Sequence, residues 1–270
     1  MNRRSLSAQR EQCKVCSSPE GIVEVACEQC GLDPICDVLD YAEEESGVPA
    51  GILLRRQPLQ RGETIFRQQE NFHSIFAVKS GSFKTSMSRS SQPDQVVGFH
   101  FPGELIGVEA MSRQTYPCTA RALERSSICE LRIPRLPESG RPLEALQASI
   151  IDLLGREVML SHELVSSLVH QSAEQRICGF VLNLSQRLAR RKLPSAEFTL
   201  TMSRSDIGNY LGLAAETVSR VLTRLHKSGA IRLQRKLVRI VDPSVLERLV
   251  EASPLHLSRG IPENKSIRFF

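Results

Sequence analysis

The sequence predicts an α+β chain, with short strands in its first half and helices in its second. Three observations predict this. From Ile52 to about Ile133, short apolar runs are separated by Gly, Pro, Ser or Asn, the pattern of an all-β roll or barrel. Around Arg141-Pro142 the apolar spacing changes to steps of three and four, the period of a helix. Further on, two short helical stretches flank Gly212, and an alternating basic segment follows them.

Composition narrows the class. The chain has 270 residues, enough for about two domains. Hydrophobic residues make up 41% and charged residues 24%, which excludes a disordered, collagen-like or disulfide-scaffold protein. No run of about 18 apolar residues is present, so no membrane partner is expected. The opening MNRRSLSAQREQCKVC has no apolar stretch, so a secretory signal is not expected and a cytoplasmic location is. The eight cysteines should then be reduced thiols, better suited to metal or redox chemistry than to structural disulfides. Charge is uneven. Ser172–Val250 carries 14 Lys/Arg against 6 Asp/Glu, whereas the rest of the chain is slightly acidic. One basic half is the footprint of nucleic-acid binding, although arginine-rich solvated helix faces give the same count.

The elements follow in order. Residues 1–26 read as a loose arm, Cys27–Cys36 as a compact loop, and Asp37–Gly47 as a short acidic helix. Strands are expected at Thr64–Phe66, Ser74–Val78, Phe83–Met87, Val96–Phe101 and Ile128–Ile133. Breaks such as Arg61-Gly62, Ser80-Gly81 and Pro102-Gly103 separate them. Ile150, Leu153, Leu154, Val158, Leu160, Leu164 and Leu168 form one broad stripe on a helix of about 25 residues. A stripe that long suits pairing with a second copy; a helix lying on its own roll is the alternative. Glu157 and Ser161 lie close to the stripe and would tune such a seam. Ser172–Leu193 reads as another helix, closed by Arg190-Arg191-Lys192, and Glu197–Met202 alternates like a strand.

Thr201–Ile231 then reads TMSRSDIGNYLGLAAETVSRVLTRLHKSGAI. Ser203 is an N-cap for a helix Arg204–Leu211, Gly212 gives a tight turn, and a second helix runs from about Ala214 to His226. Two short helices about a glycine turn fit a helix-turn-helix. The second helix presents Glu216, Ser219, Arg220 and Thr223 away from its apolar face. Arg pairs bidentately with guanine, Glu accepts from cytosine N4, and Ser bonds a base edge. Thr217, Arg224 and Lys227 suit phosphates. Arg232–Ile240 reads as a basic β-wing. Double-stranded DNA is therefore the expected partner.

The cysteines carry a second signal. Cys27, Cys30 and Cys36 give C-x2-C-x5-C, and thiolates this close repel unless a metal neutralises them. Four thiolates suit zinc or an iron–sulfur cluster. Spacing leaves the fourth open among Cys13, Cys16, Cys118, Cys129 and Cys178. It leaves the metal open too, since Cys13 and Cys16 form a second C-x2-C. No nucleophile–base pair or catalytic carboxylate pair is visible, so no enzyme is expected.

These residues carry a resemblance. GFHFPGELIG (Gly98–Gly107), AEQRICGFVLNLSQR (Ala173–Arg187) and LTMSRSDIGNYLGLAAETVSR (Leu200–Arg220) resemble the FNR branch of the cyclic-AMP-receptor superfamily of bacterial transcription regulators. The likeness runs from about Cys27 to about Leu249. It implies an oxygen-labile 4Fe-4S cluster on Cys27, Cys30, Cys36 and the distant Cys129, leaving Cys13, Cys16, Cys118 and Cys178 unligated. It implies that the intact cluster favours a homodimer whose recognition helices bind a palindrome like TTGAT-N4-ATCAA, controlling anaerobic gene expression. The branch's E-x-x-S-R falls on Glu216, Ser219 and Arg220. The turn Arg89, Ser90, Ser91, Gln92, Pro93, Asp94 matches a loop that meets RNA polymerase in this family.

Two departures matter. The family's cyclic-phosphate arginine falls near Tyr116-Pro117-Cys118-Thr119, which holds none, so no cyclic nucleotide is expected although Glu104 survives. Ser161 stands where oxygen-responsive members carry an acidic residue, so a tighter dimer and a blunted oxygen response are expected. The expected division is an arm with the cysteine loop (1–50), a cyclic-nucleotide-binding-like β-roll sensor (51–140), a dimerisation helix (141–171), a winged helix-turn-helix (172–250) and a tail (251–270). A regulator of this fold gated by zinc or thiol oxidation, and an iron–sulfur electron-transfer protein, are the competing readings.

Overall fold

Among the described residues, eight strands build the first half: β1 (Leu53–Arg55), β2 (Thr64–Phe66), β3 (Ser74–Ser80), β4 (Phe83–Arg89), β5 (Gln92–His100), β6 (Leu105–Ile106), β7 (Thr119–Ala122) and β8 (Ser127–Arg132). The structure is a computed structural model that describes residues 24–33, 36, 53–55, 58–89, 92–133 and 141–251. The strands form two antiparallel sheets, ordered β1-β8-β3-β6 and β2-β7-β4-β5. Phe66, Phe76, Val78, Phe83, Ala120 and Ile128 come from both sheets and share one core, so the roll is closed by its own side chains.

β3 shows why its apolar pattern does not alternate. Every residue of Ser74–Ser80 is buried. Phe76 and Val78 enter the roll core, whereas Ile75 and Ala77 join a separate cluster with Leu32, Leu105, Val108 and Leu131. The strand is covered on both faces, the second partly by the cysteine loop.

A 30-residue helix, α1 (Arg141–His170), leaves the roll. α2 (Ala173–Arg190) follows after Ser172, which forms a capping box with Gln175. The second half is completed by β9 (Glu197–Thr199), α3 (Arg204–Leu211), α4 (Ala215–Lys227), β10 (Ile231–Gln234), β11 (Leu237–Ile240) and α5 (Pro243–Glu251). β10, β11 and β9 pair in that order as a small antiparallel sheet. One apolar core crosses the boundary between the two halves. It holds Val96, Phe99 and Phe101 of the roll together with Phe180, Ile207, Leu222 and Leu246.

The sequence expectations hold for five roll strands, the long helix and the two helices about Gly212. β1, β6, β7 and α5 were not expected. β1 and β6 have three and two residues, too few to show a period. β9 is three residues, shorter than the expected Glu197–Met202 strand. The expected Asp37–Gly47 helix lies outside the described residues, as do residues 1–23, 252–270, Ser90 and Ser91.

Candidate DNA-reading surface and cysteine site

α3 begins where Ser203 caps it. The amide of Asp206 donates to Ser203 Oγ at 3.0 Å, and the Ser203 amide donates back to Asp206 Oδ2 at 3.0 Å. Gly212 ends the helix at φ 65, a conformation that favours glycine. Gly208 is equally required, because a Cβ there would lie 2.4 Å from the Leu213 carbonyl. Sequence reasoning missed it; the signal was a glycine inside a helical pattern, which marks close backbone approach.

α4 is strongly two-faced. Val218, Val221, Leu222 and Leu225 are buried, whereas Glu216, Ser219, Arg220 and Thr223 are exposed together. Arg220 leans on Thr217 Oγ1 at 3.4 Å, and Arg224 lies 3.5 Å from Glu174 in an exposed ion pair. Lys227 is exposed in the last turn. The hydroxyls of Ser219 and Thr223 donate to the carbonyls of Ala215 and Ser219, leaving their oxygens able to accept. The wing is a tight hairpin turning at Arg235, whose φ is 54, and Arg232, Arg235, Lys236 and Arg239 are exposed along it. Helix and wing together present a polar and basic surface with the donor and acceptor types that read base edges.

This reader is fastened to the roll. Lys84 of β4 pairs with Asp206 of α3. Asn209 accepts from the Val96 amide at 2.6 Å and donates to the Asp94 carbonyl at 3.0 Å. The β4–β5 hairpin expected to meet RNA polymerase is thus also bonded to the first reader helix. Pro93 and Asp94 are exposed on it.

Arg187 of α2 donates from Nε and Nη2 to Glu104 at 2.8 and 2.5 Å and stacks over Phe101 at 4.9 Å. Burial pushes the Glu104 carboxyl up, but the charge and hydrogen bonds of Arg187 outweigh it and hold Glu104 below the usual glutamate range. Glu104, which survives without a cyclic-phosphate arginine, thus forms an interdomain ion pair.

The cysteine loop lies on the outer face of the β1-β8-β3-β6 sheet. Its anchor is Leu32, with no exposed surface. Cys30, Cys36 and Cys129 all pack, partly buried, against the cluster around Leu32. Cys129 stands opposite Ala77 in the β3–β8 register, next to the loop's seat. Cys27 is held at the other end, where buried Lys79 donates from Nζ to its sulfur at 3.4 Å and to the Val25 carbonyl at 2.5 Å. Burial raises the Cys30 thiol pKa, against the Leu32 amide and the charges of Lys79 and Arg191. No group of three or more His, Cys, Asp or Glu side chains is drawn into metal-binding distance among the described residues. Cys118 and Cys178 are buried elsewhere, with thiols raised by burial; Cys118 donates to Glu109 at 3.2 Å. Cys13 and Cys16 lie outside the described residues.

The long helix divides its apolar residues between two faces. Ile150 and Leu164 are half-buried against the chain's own cores, and Leu168 is half-buried as well. Leu154 and Val158 are exposed, together with Ile151, Met159, Val165 and Val169, which the expected stripe did not include. Ile151 is 70% and Val169 67% exposed. Ser161 is exposed among them; the side chains of Leu153, Glu157 and Leu160 lie outside those described. The expected stripe therefore mixed a self-packing face with an outward one.

A β roll joined through a long helix to a winged helix-turn-helix with this surface defines a DNA-binding transcription regulator. Known proteins agree. A model of the Crp-like helix-turn-helix domain matches residues 175–249, and one of the cyclic nucleotide-binding domain matches residues 56–137. The chain is 41% identical over 216 residues to the transcriptional activator protein anr of Pseudomonas aeruginosa, covering 80% of this chain and 88% of that one. It is 34% identical over 218 residues to the anaerobic regulatory protein of Haemophilus influenzae, covering 81% and 85%. Its fold is similar to FixK2 from Bradyrhizobium japonicum, with a TM-score of 0.66 and 24% identity over 73% of this chain and 97% of that one. The chain belongs to the Crp/FNR superfamily, close to its Anr and Fnr branch. On that kinship it is an oxygen- or redox-responsive transcription regulator rather than an enzyme.

Proposed function

We propose that this regulator holds a 4Fe-4S cluster on Cys27, Cys30, Cys36 and Cys129, and binds a palindrome like TTGAT-N4-ATCAA as a homodimer while the cluster is intact. The observation that carries the reading is the seat of the cysteine loop. Leu32 is fully buried, and Cys30, Cys36 and Cys129 gather on the same apolar cluster. The donor set fits, because four thiols, three of them on an apolar cluster and Cys27 beside the Lys79 ammonium, are ligands such a group takes. When bound, the cluster supplies oxygen-labile iron–sulfur bonds. The chain's own residues do the rest. Leu32 and Leu105 exclude water, and Lys79 fixes the Val25–Cys27 end of the loop.

Dimerisation is assigned to the outward face of α1. Ile151, Val158 and Val165 recur every seven residues, with Leu154 and Ser161 three beyond the first two. β-Branched residues at one seam position and Leu at the other favour a two-stranded parallel pair. Ser161 adds no charge to that seam, which supports more dimer in the metal-free protein than an acidic residue would allow. Two recognition helices then present Glu216, Ser219 and Arg220 to successive major grooves, with Thr217, Arg224 and Lys227 on phosphates.

The hairpin Arg89–Asp94 is the surface assigned to RNA polymerase, and the chain works in the cytoplasm. No helix among the described residues is long and apolar enough to cross a membrane. Cyclic nucleotide is not its ligand: Glu104 is engaged by Arg187, and Tyr116 is buried in the roll, stacked on Phe66 at 3.7 Å.

Anaerobic purification tests the reading. The expected protein is brown, carries iron and sulfide in equal amounts, bleaches in air, and loses palindrome binding as it bleaches. A colourless protein carrying zinc and binding the palindrome equally in air would overturn it in favour of the zinc-gated alternative.

A further inference from the structure

The cysteine loop touches the DNA-binding domain of its own chain. Arg191, which closes α2, donates from Nη1 to the Gln29 carbonyl at 2.7 Å, one residue before Cys30. The loop is bonded to the roll two residues further on, where the Gly31 amide donates to the Gly103 carbonyl at 2.9 Å. Glu104, next in the chain, accepts from Arg187. Arg187 and Arg191 are four residues apart and so share one side of α2.

Three segments therefore meet at Gly103, whose φ is +88. A Cβ there would lie 2.8 Å from Gln29 O and 2.8 Å from Arg191 Cδ. So close an approach leaves little slack. Any rearrangement about Cys30 displaces the Gln29 carbonyl, and with it the guanidinium of Arg191. Arg187 has a different role. Its pairing with Glu104 is mostly buried and ties the helix to the roll, whereas Arg191 holds the loop carbonyl itself.

We propose that Arg191 is a positioning residue that reports the state of the cysteine loop to the DNA-binding domain within one subunit, in parallel with the dimer helix. The proposal rests on the reading that the loop holds the cluster. It predicts two separable routes from sensor to reader: a contact through Gln29 and Arg191, and the paired long helices. Removing Arg191 cuts the first and leaves the second.

The test uses full-length protein, anaerobically loaded and then exposed to air, with the palindrome as probe. R191Q is expected to take up iron and to sediment as the wild type does. Its ratio of DNA affinities before and after air should shrink by about fivefold or more, the lower end of ordinary coupling between sites. Hydrogen exchange supplies a readout that needs no metal: in metal-free protein, R191Q should speed exchange of the Gly31 amide. G31A gives a second variant. Its added Cβ would meet Leu105 Cγ at 2.9 Å and the Gly103 carbonyl at 3.1 Å, pushing the loop off its seat, and it should shrink the same ratio. Unchanged affinity ratio and unchanged Gly31 exchange in R191Q overturn the proposal. Failure of the cluster reading shows earlier and separately, as a wild type that takes up no iron, and that result overturns both.

Discussion

The DNA-binding domain and the long helix treat their apolar side chains in opposite ways. In α4, Val218, Val221, Leu222 and Leu225 are all buried by the chain's own elements. In α1, Ile151, Leu154, Val158, Met159, Val165 and Val169 stand in solvent. The first region is complete within one chain. The second carries an apolar stripe whose burial requires another surface. The contrast teaches that the reader's fold and the proposed dimer seam rest on different stabilities, one intramolecular and one dependent on association.

Four predictions break or sharpen that contrast, in falling order of effect. Leu222→Ala opens a cavity in the reader's core and should cost about 2–5 kcal/mol of stability. Denaturant unfolding checks it, and dimerisation measured by sedimentation should survive wherever the fold does. Val158→Glu should do the reverse. It places like charges at facing seam positions and should weaken the dimer by about 2–4 kcal/mol while leaving unfolding of the reader unchanged. Equilibrium sedimentation of both variants decides whether the two regions are as independent as their packing indicates.

Arg220→Ala should leave both stabilities alone. It should cost about 1–3 kcal/mol of discrimination at one base pair, measured by competition between palindromes changed at that position. The smallest effect belongs to the interface between the regions. Burial lowers the pKa of His100, with Arg187 acting in the same sense and Glu104 and Glu109 in the opposite one. The folded chain then keeps His100 neutral at pH values where the unfolded chain protonates it. Stability should fall as pH drops from ~6.5 through the folded value. In His100→Gln that part of the slope should vanish, as read by thermal unfolding across pH 5 to ~7.

Legibility in the sequence followed how local each signal was. Arg204–Leu211 was readable to the residue, because Ser203 and Gly212 mark both ends with their own chemistry. The wing's alternation was readable for the same reason. The long helix was readable as a helix, but its two faces were not. Ile150 and Leu164 obey the same spacing as Leu154 and Val158, and only packing against the roll and the reader separates them. In the roll, β3 hid its period because both of its faces are buried. Glu104 was readable as a carboxylate without a phosphate-binding arginine nearby. That its partner is Arg187, 83 positions away, is a long-range fact.

The sequence by itself determined the class of the longer elements, the polar side chains along the outward face of α4 and the spacing of the three loop cysteines. Each of these is set by neighbours within a few residues. Only the tertiary structure decided that the loop sits on the sheet face of Cys129, that α1 has an apolar face the described residues leave exposed, and that the loop and the reader meet at Gln29 and Arg191. The physical reason is the same in each case. Burial and hydrogen bonding depend on which distant segments are brought together, and no local pattern encodes that distance.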